Sequence, residues 1–213
     1  LKKQKSYAGE LWLVRHGRTS WNRERRYQGH SDVALLDDEA SGLEELEREL
    51  EGVSFSTVYC SDLLRCRQTL TRVRPDLAGK AVYDSRLREM NFGQWEGQTY
   101  EMLKNNLLYR AWIDDPVSVT PPGGEAWDDF HRRVSLIYEE WINLAQRNLY
   151  PEDNMEQRIL AVTHGGVVAL VSSLLHPGRG FWDTSIEAGG ILRLKLGEKT
   201  EPETGKRNQE YYD

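Results

Sequence analysis

The sequence predicts an α/β fold: a three-layer α/β/α sandwich around a mostly parallel sheet, with a mainly helical cap insertion at about residues 92–150. Three observations predict it. Two short apolar runs, residues 10–14 (ELWLV) and 159–162 (ILAV), each lead within one residue into a histidine-glycine pair, as buried strands do where they leave the rim of an open sheet. Segments with helical apolar spacing fall between the strand candidates. A stretch rich in proline and glycine, residues 115–124, separates one amphipathic helix from the longest one.

Taken in order, residues 10–14 form the first strand and Arg15-His16-Gly17 opens a loop. Leu43, Leu46 and Leu50, set between acidic residues, make one face of a helix over 39–51. Val58 and Tyr59 form a short strand, and Ser61 caps a helix whose inner face is Leu63, Cys66, Leu70 and Val73. Arg65 falls in the first turn of that helix, beside amides that favour an anion. After a turn near Gly79, residues 81–83 form another strand, and Tyr100, Leu103 and Leu107 share the face of one helix. Trp127, Phe130, Val134, Ile137 and Trp141 follow at helical spacing and are read as core. Residues 159–162 are a buried strand, 167–175 an apolar helix, and 191–196 a strand whose two charges place it toward the sheet edge. Residues 197–213 have no periodicity and read as a polar tail, so one domain spans 1–213 with its cap and tail.

Composition narrows the function. Hydrophobic residues at 38% and charged residues at 29% are ordinary globular usage and exclude bulk disorder, a fibre or a repeat array. The net charge of −6 argues against nucleic acid as a partner, because a phosphate backbone wants a broad basic face. Against that acidic background Arg15, Arg18, Arg23, Arg25 and Arg26 cluster in one loop, as a local anion pocket or an exposed charged loop would require. The first twenty residues contain only a very short apolar run, which predicts neither a signal peptide nor a membrane span and makes the cytoplasm the expected location. Cys60 and Cys66 are too few to staple a secreted fold, and Cys66 reads as a small buried hydrophobe.

The chemistry centres on His16 and His164, which should reach the same rim of the sheet. A metal is one account of paired histidines, with Asp32, Asp37 or Glu89 as further ligands, but no HxH, HxxxH or HExxH spacing is present. Phosphoryl chemistry explains more of the same residues. Arg15 and Arg65 supply planar, bidentate donors to phosphoryl oxygens, and an imidazole beside them stays neutral and able to attack. A departing alkoxide needs a proton, for which composition leaves Glu89, Asp32 and Glu125 level. The sequence lacks a GxxxxGK[ST] loop, a dinucleotide fingerprint and a GxSxG elbow, which sets aside those nucleotide and serine-hydrolase chemistries.

The blocks LVRHGRTSWNRERRYQGHSD, SDLLRCRQT, LREMNFGQWEG, PPGGE and VTHGG, in that order over roughly residues 10–196, resemble the histidine phosphatase superfamily, also called phosphoglycerate-mutase-like. The resemblance implies that His16 becomes phosphorylated, that Arg15, Arg65, His164 and Asn22 form the phosphate pocket, and that Glu89 is the proton donor. Substrate binding is expected of Arg18, Arg26, Gln28 and Gly29 in the same loop, and the resemblance implies no metal or other cofactor. Three departures bear on specificity: Arg18 stands where the family often has glutamate, ALLDDEASGLEE replaces a PLTxxGxxQA block, and Ala126 follows PPGGE in place of serine. The short chain and the PPGGE block resemble the compact phosphatase branch, whose substrates include α-ribazole phosphate, sugar phosphates and broad sets of phosphomonoesters. The expected activity is hydrolysis of a small phosphorylated metabolite. The alternatives are a cofactor-dependent phosphoglycerate mutase and a non-catalytic binding module, and assembly as a homodimer is left open.

Overall fold

The apolar run near the start of the chain is buried on both faces. In the computed structural model, which describes residues 9–37, 41–147 and 157–196, strand β1 (Gly9–Arg15) sends Leu11 and Leu13 into one apolar cluster and Trp12 and Val14 into another. This is the two-residue period of a strand, and burial on both sides explains the absence of polar alternation. The other strands are β2 (Thr57–Cys60), β3 (Val82–Tyr83), β4 (Arg158–Thr163) and β5 (Ile191–Leu196). Their order in the sheet is β3-β2-β4-β1-β5. All neighbours run parallel except β5, which pairs antiparallel with β1 at the edge.

The described helices are α1 (Ser20–Arg23), α2 (Glu44–Leu50), α3 (Leu64–Val73), α4 (Pro75–Ala78), α5 (Tyr100–Leu103), α6 (Leu107–Asp114), α7 (Trp127–Arg147) and α8 (Gly165–Leu175). Helices α2 and α3 cover one face of the sheet with Leu46, Leu50, Cys66, Leu70 and Val73. Helices α7 and α8 cover the other with Phe130, Val134, Ile137, Trp141, Val167 and Val171. The result is an α/β/α sandwich. Trp95, Leu103, Tyr109 and Trp112 close a separate small cluster against Tyr27, Phe92 and Val119. Within the span expected as a cap, therefore, α5 and α6 have their own core, whereas α7 packs on the sheet. No described helix is long and apolar enough to cross a membrane.

Two expectations change. The helix face drawn through Tyr100, Leu103 and Leu107 is broken: Leu103 is buried, but Tyr100 is 55% and Leu107 85% exposed. The chain ends α5 at Leu103 and restarts at α6, because the Asn106 side chain accepts from the amides of Leu108 and Tyr109 and caps a new helix. Ser61 does not cap α3. The N-cap position is Leu63, and the Leu64 amide instead donates to Asp32 Oδ1 at 2.6 Å. The helix expected over 39–51 begins at Glu44, with residues 39 and 40 outside the described residues. The tail at 197–213 and the end of the expected cap, 148–150, also lie outside them.

Candidate active site

The β1–β4 register assembles the site. Arg15 lies opposite Thr163 in that pair, and the His16 amide donates to the Thr163 carbonyl at 3.0 Å. The residues that follow both strands, His16 and His164, therefore leave the sheet together, and their ring centroids are 5.2 Å apart at 61°. Both are buried, at 3% and 0% exposure. Nδ1 of His16 lies 2.7 Å from the Gly17 carbonyl. A carbonyl only accepts, so in the neutral ring Nδ1 carries the proton and Nε2 keeps the lone pair. Burial, then the Arg65 charge, holds both histidines well below the ordinary imidazole range; Arg15 adds to this at His16, while the Gly17 bond opposes it. The His16 ring is therefore neutral at neutral pH, with Nε2 unprotonated.

Arg65, in the first turn of α3, is completely buried. It donates from Nη1 to the Ser31 carbonyl and from Nη2 to the Gly29 carbonyl, each at 2.7 Å, and from Nε to His164 Nδ1 at 3.3 Å. Three of its N–H groups are used, and a guanidinium has five. Because Arg65 can only donate, His164 Nδ1 is the acceptor, and its Nε2–H points to Ser61 Oγ at 2.9 Å. Arg15 donates from Nη1 to the Ile186 carbonyl at 2.7 Å, while its buried Nε has no partner. That orphan donor is an unmet requirement which an anion would satisfy.

Glu89 is fixed at the start of α8. Its Oε2 accepts from the Gly166 amide and its Oε1 from the Met90 amide, both at 3.0 Å. A Cβ on Gly166 would lie 2.2 Å from Glu89 Oε1, and one on Gly165 would lie 3.5 Å from Arg15 Cζ. The missing side chain at Gly166 thus lets the Glu89 carboxylate approach the helix end, with the Arg15 guanidinium in ordinary contact distance of Gly165. The loop behind Glu89 is clamped by Arg133 of α7. Its Nη1 donates to the carbonyls of Arg86 and Arg88 at 2.8 and 2.6 Å, and its Nη2 to that of Glu89 at 2.8 Å. Glu125 completes the clamp through a two-pronged ion pair with Arg133 at 2.7 and 2.8 Å.

The remaining sequence candidates lie around this centre. Asn22 closes a capping box with Thr19 on α1, its Oδ1 accepting from the Thr19 amide and hydroxyl, so its amide nitrogen is the end that can donate to an anion. Gln28 accepts from the Thr19 hydroxyl. Gly29 takes a φ of +47°, and a Cβ there would meet Glu96 Oε1 at 2.0 Å, because Glu96 gathers the amides of His30, Ser31 and Phe92. Gly29 thus serves the site through its carbonyl. Arg26 is held by Glu24 and the Gly97 carbonyl, and Arg18 lies against Gly42. Asp32 accepts from the start of α3 and Glu125 pairs with Arg133; of these three carboxylates Glu89 is the one that lines the pocket.

That pocket is a cavity of about 530 Å³ whose lining includes Arg15, Glu89, Gly165 and Gly166 together with a set of aromatic side chains. Neither histidine is in its lining. Sequence reasoning missed Ser61, Glu96 and Arg133 as supports, and missed the aromatic wall. Trp127 carried a signal, but it was read as core, whereas it is half-buried and lines the cavity.

The sequence profile of the histidine phosphatase superfamily (branch 1) matches residues 11–206. The chain is 32% identical over 196 residues to the adenosylcobalamin/alpha-ribazole phosphatase of Escherichia coli (strain K12), a match covering 89% of this chain and 91% of that protein. It is 34% identical over 201 residues to phosphoglycerate mutase-like protein 4 of Arabidopsis thaliana, covering 89% and 81%. Among solved structures, the alpha-ribazole phosphatase from Shigella flexneri is similar with a TM-score of 0.72 at 30% identity, covering 86% of this chain and 89% of that one.

Proposed function

The chain belongs to the histidine phosphatase superfamily, branch 1, and from that premise we propose that it hydrolyses a small phosphomonoester through a phosphohistidine at His16, with Glu89 as proton donor. The observation that carries this reading is the unpartnered, buried Nε of Arg15 beside a neutral His16 whose Nε2 holds the lone pair.

The phosphoryl oxygens take the Arg15 Nε–H, the two remaining N–H groups of Arg65 and the Asn22 amide. Nε2 of His16 attacks phosphorus, the bond to the esterified oxygen breaks, and Glu89 protonates that oxygen as it leaves. Water, deprotonated by Glu89, then attacks the phosphohistidine and phosphate departs. His164 holds Arg65 through Nδ1 and so aims the guanidinium at the phosphoryl group. For its ring to donate to the phosphoryl group directly, it must give up Ser61 or Arg65. The positive charge is supplied by side chains, and the reading assigns no metal or organic cofactor.

The test is covalent labelling. Wild-type protein quenched during turnover of p-nitrophenyl phosphate should carry an acid-labile, base-stable phosphoryl group. His16→Ala should lose both the label and turnover, by about three orders of magnitude or more. Normal turnover in that variant would overturn the assignment.

A further inference from the structure

The remainder of the cavity lining, beyond Arg15, Glu89 and the two glycines, has a composition that selects a leaving group. Tyr27, Phe92 and Trp112 line one part of it, and Trp127, Phe181 and Trp182 another. The rings are already mutually packed edge to face: Trp127 with Phe181 at 4.9 Å and 86°, Phe181 with Trp182 at 4.7 Å and 88°, and Phe92 with Trp112 at 5.9 Å and 84°. Such a wall is set in place before a ligand arrives, which lowers the ordering cost of binding. Trp182 is nonetheless 71% exposed and Ile113 48% exposed. A cluster of apolar side chains open to water around a cavity marks a surface that a ligand covers.

Charge points the same way. Arg15 and Glu89 are the charged residues of the lining, and Arg15 is committed to the phosphoryl group. A second acidic group on the substrate, such as the carboxylate of a phosphoglycerate, would lose its water here and meet no cation. Of the arginines clustered in the loop, Arg18, Arg23, Arg25 and Arg26 are absent from the lining, and Arg26 is held by Glu24 and the Gly97 carbonyl.

We infer that the group esterified to the phosphate is a flat, uncharged aromatic or heteroaromatic one, and that the cavity discriminates against phosphorylated acids. This rests on the phosphatase reading above and adds the class of leaving group to it. The wall accepts the ring by edge and face contacts while the phosphate reaches past the glycine pair toward His16.

Three esters that all expel an alkoxide separate binding from leaving-group reactivity: 2-naphthylmethyl phosphate, sn-glycerol 3-phosphate and 3-phosphoglycerate. The naphthylmethyl ester should exceed 3-phosphoglycerate in kcat/KM by about 100-fold, mainly through KM. Trp182→Ala removes an exposed side chain, so it tests the wall without emptying the core, and it should shrink that preference about tenfold. If phosphate is released from all three esters with 3-phosphoglycerate equal or better, the inference is wrong and the phosphatase reading stands. If none of the three, nor p-nitrophenyl phosphate, releases phosphate, both fall.

Discussion

Glu89 illustrates what one residue's surroundings add to its chemistry. On residue types alone it was level with Asp32 and Glu125. The structure separates them by place, since Glu89 lines the cavity, whereas Asp32 receives the Leu64 amide and Glu125 pairs with Arg133 outside that lining. Glu89 itself accepts one amide on each oxygen, so Glu89→Gln is not a silent isostere: its NH2 group would face one of those amides, donor against donor. Loss of position should slow all substrates alike, whereas loss of the proton should slow only those with poor leaving groups. We expect kcat/KM to fall about 100-fold more for an alkyl phosphate than for p-nitrophenyl phosphate. Equal losses would remove the leaving-group role. The histidines and Arg15 and Arg65 were legible because their chemistry and position after strands or on a helix start can be read locally. Ser61 was not, because its partner His164 is 103 residues away.

At the scale of elements, α7 was legible from its apolar period and its second duty was not. Arg133 sits between Phe130 and Val134 on a helix whose pattern assigns polar positions to solvent, yet its guanidinium reaches three carbonyls of the Glu89 loop. Its side chain is 18% exposed and that of Glu125 13%. Arg133→Met should therefore destabilise the protein by about 3 kcal/mol, because Glu125 is left without its cation. Adding Glu125→Gln should recover part of that in urea unfolding without restoring activity, since the loop behind Glu89 remains unclamped. Full activity in the double variant would show that the clamp does not position Glu89. The break between α5 and α6 was illegible for a related reason: a three-residue apolar spacing fits one helix until Asn106 supplies a better end for its backbone amides.

For the whole molecule, alternating strands and helices made the α/β/α class legible, but the strand order was not, because local patterns carry no information about which parallel neighbour a strand takes. Global stability also reflects the site. His16 and His164 are held well below the reference value of 6.5 by burial and by Arg65. Below pH 6.5 the unfolded chain binds protons that the folded chain refuses, so stability falls as pH drops from there toward the folded-state values. Both histidines contribute to that loss. Urea midpoints should fall between pH 7 and 5, and more shallowly in His16→Asn. Parallel profiles for wild type and that variant would show that His16 is not neutral in the fold.

Strand β4 is the neighbour of both β1 and β2, and those two do not pair with each other. During synthesis the ribosome makes β1 and β2 long before residues 158–163 emerge. Until then the early strands have bare hydrogen-bonding edges and no shared sheet, a state open to chaperones and to aggregation. The histidine pair forms only when β4 slots between them, so a nascent or truncated chain ending before His164 carries the RHG loop without a working centre. The histidine pair is therefore assembled in one late step, as the last central strand joins.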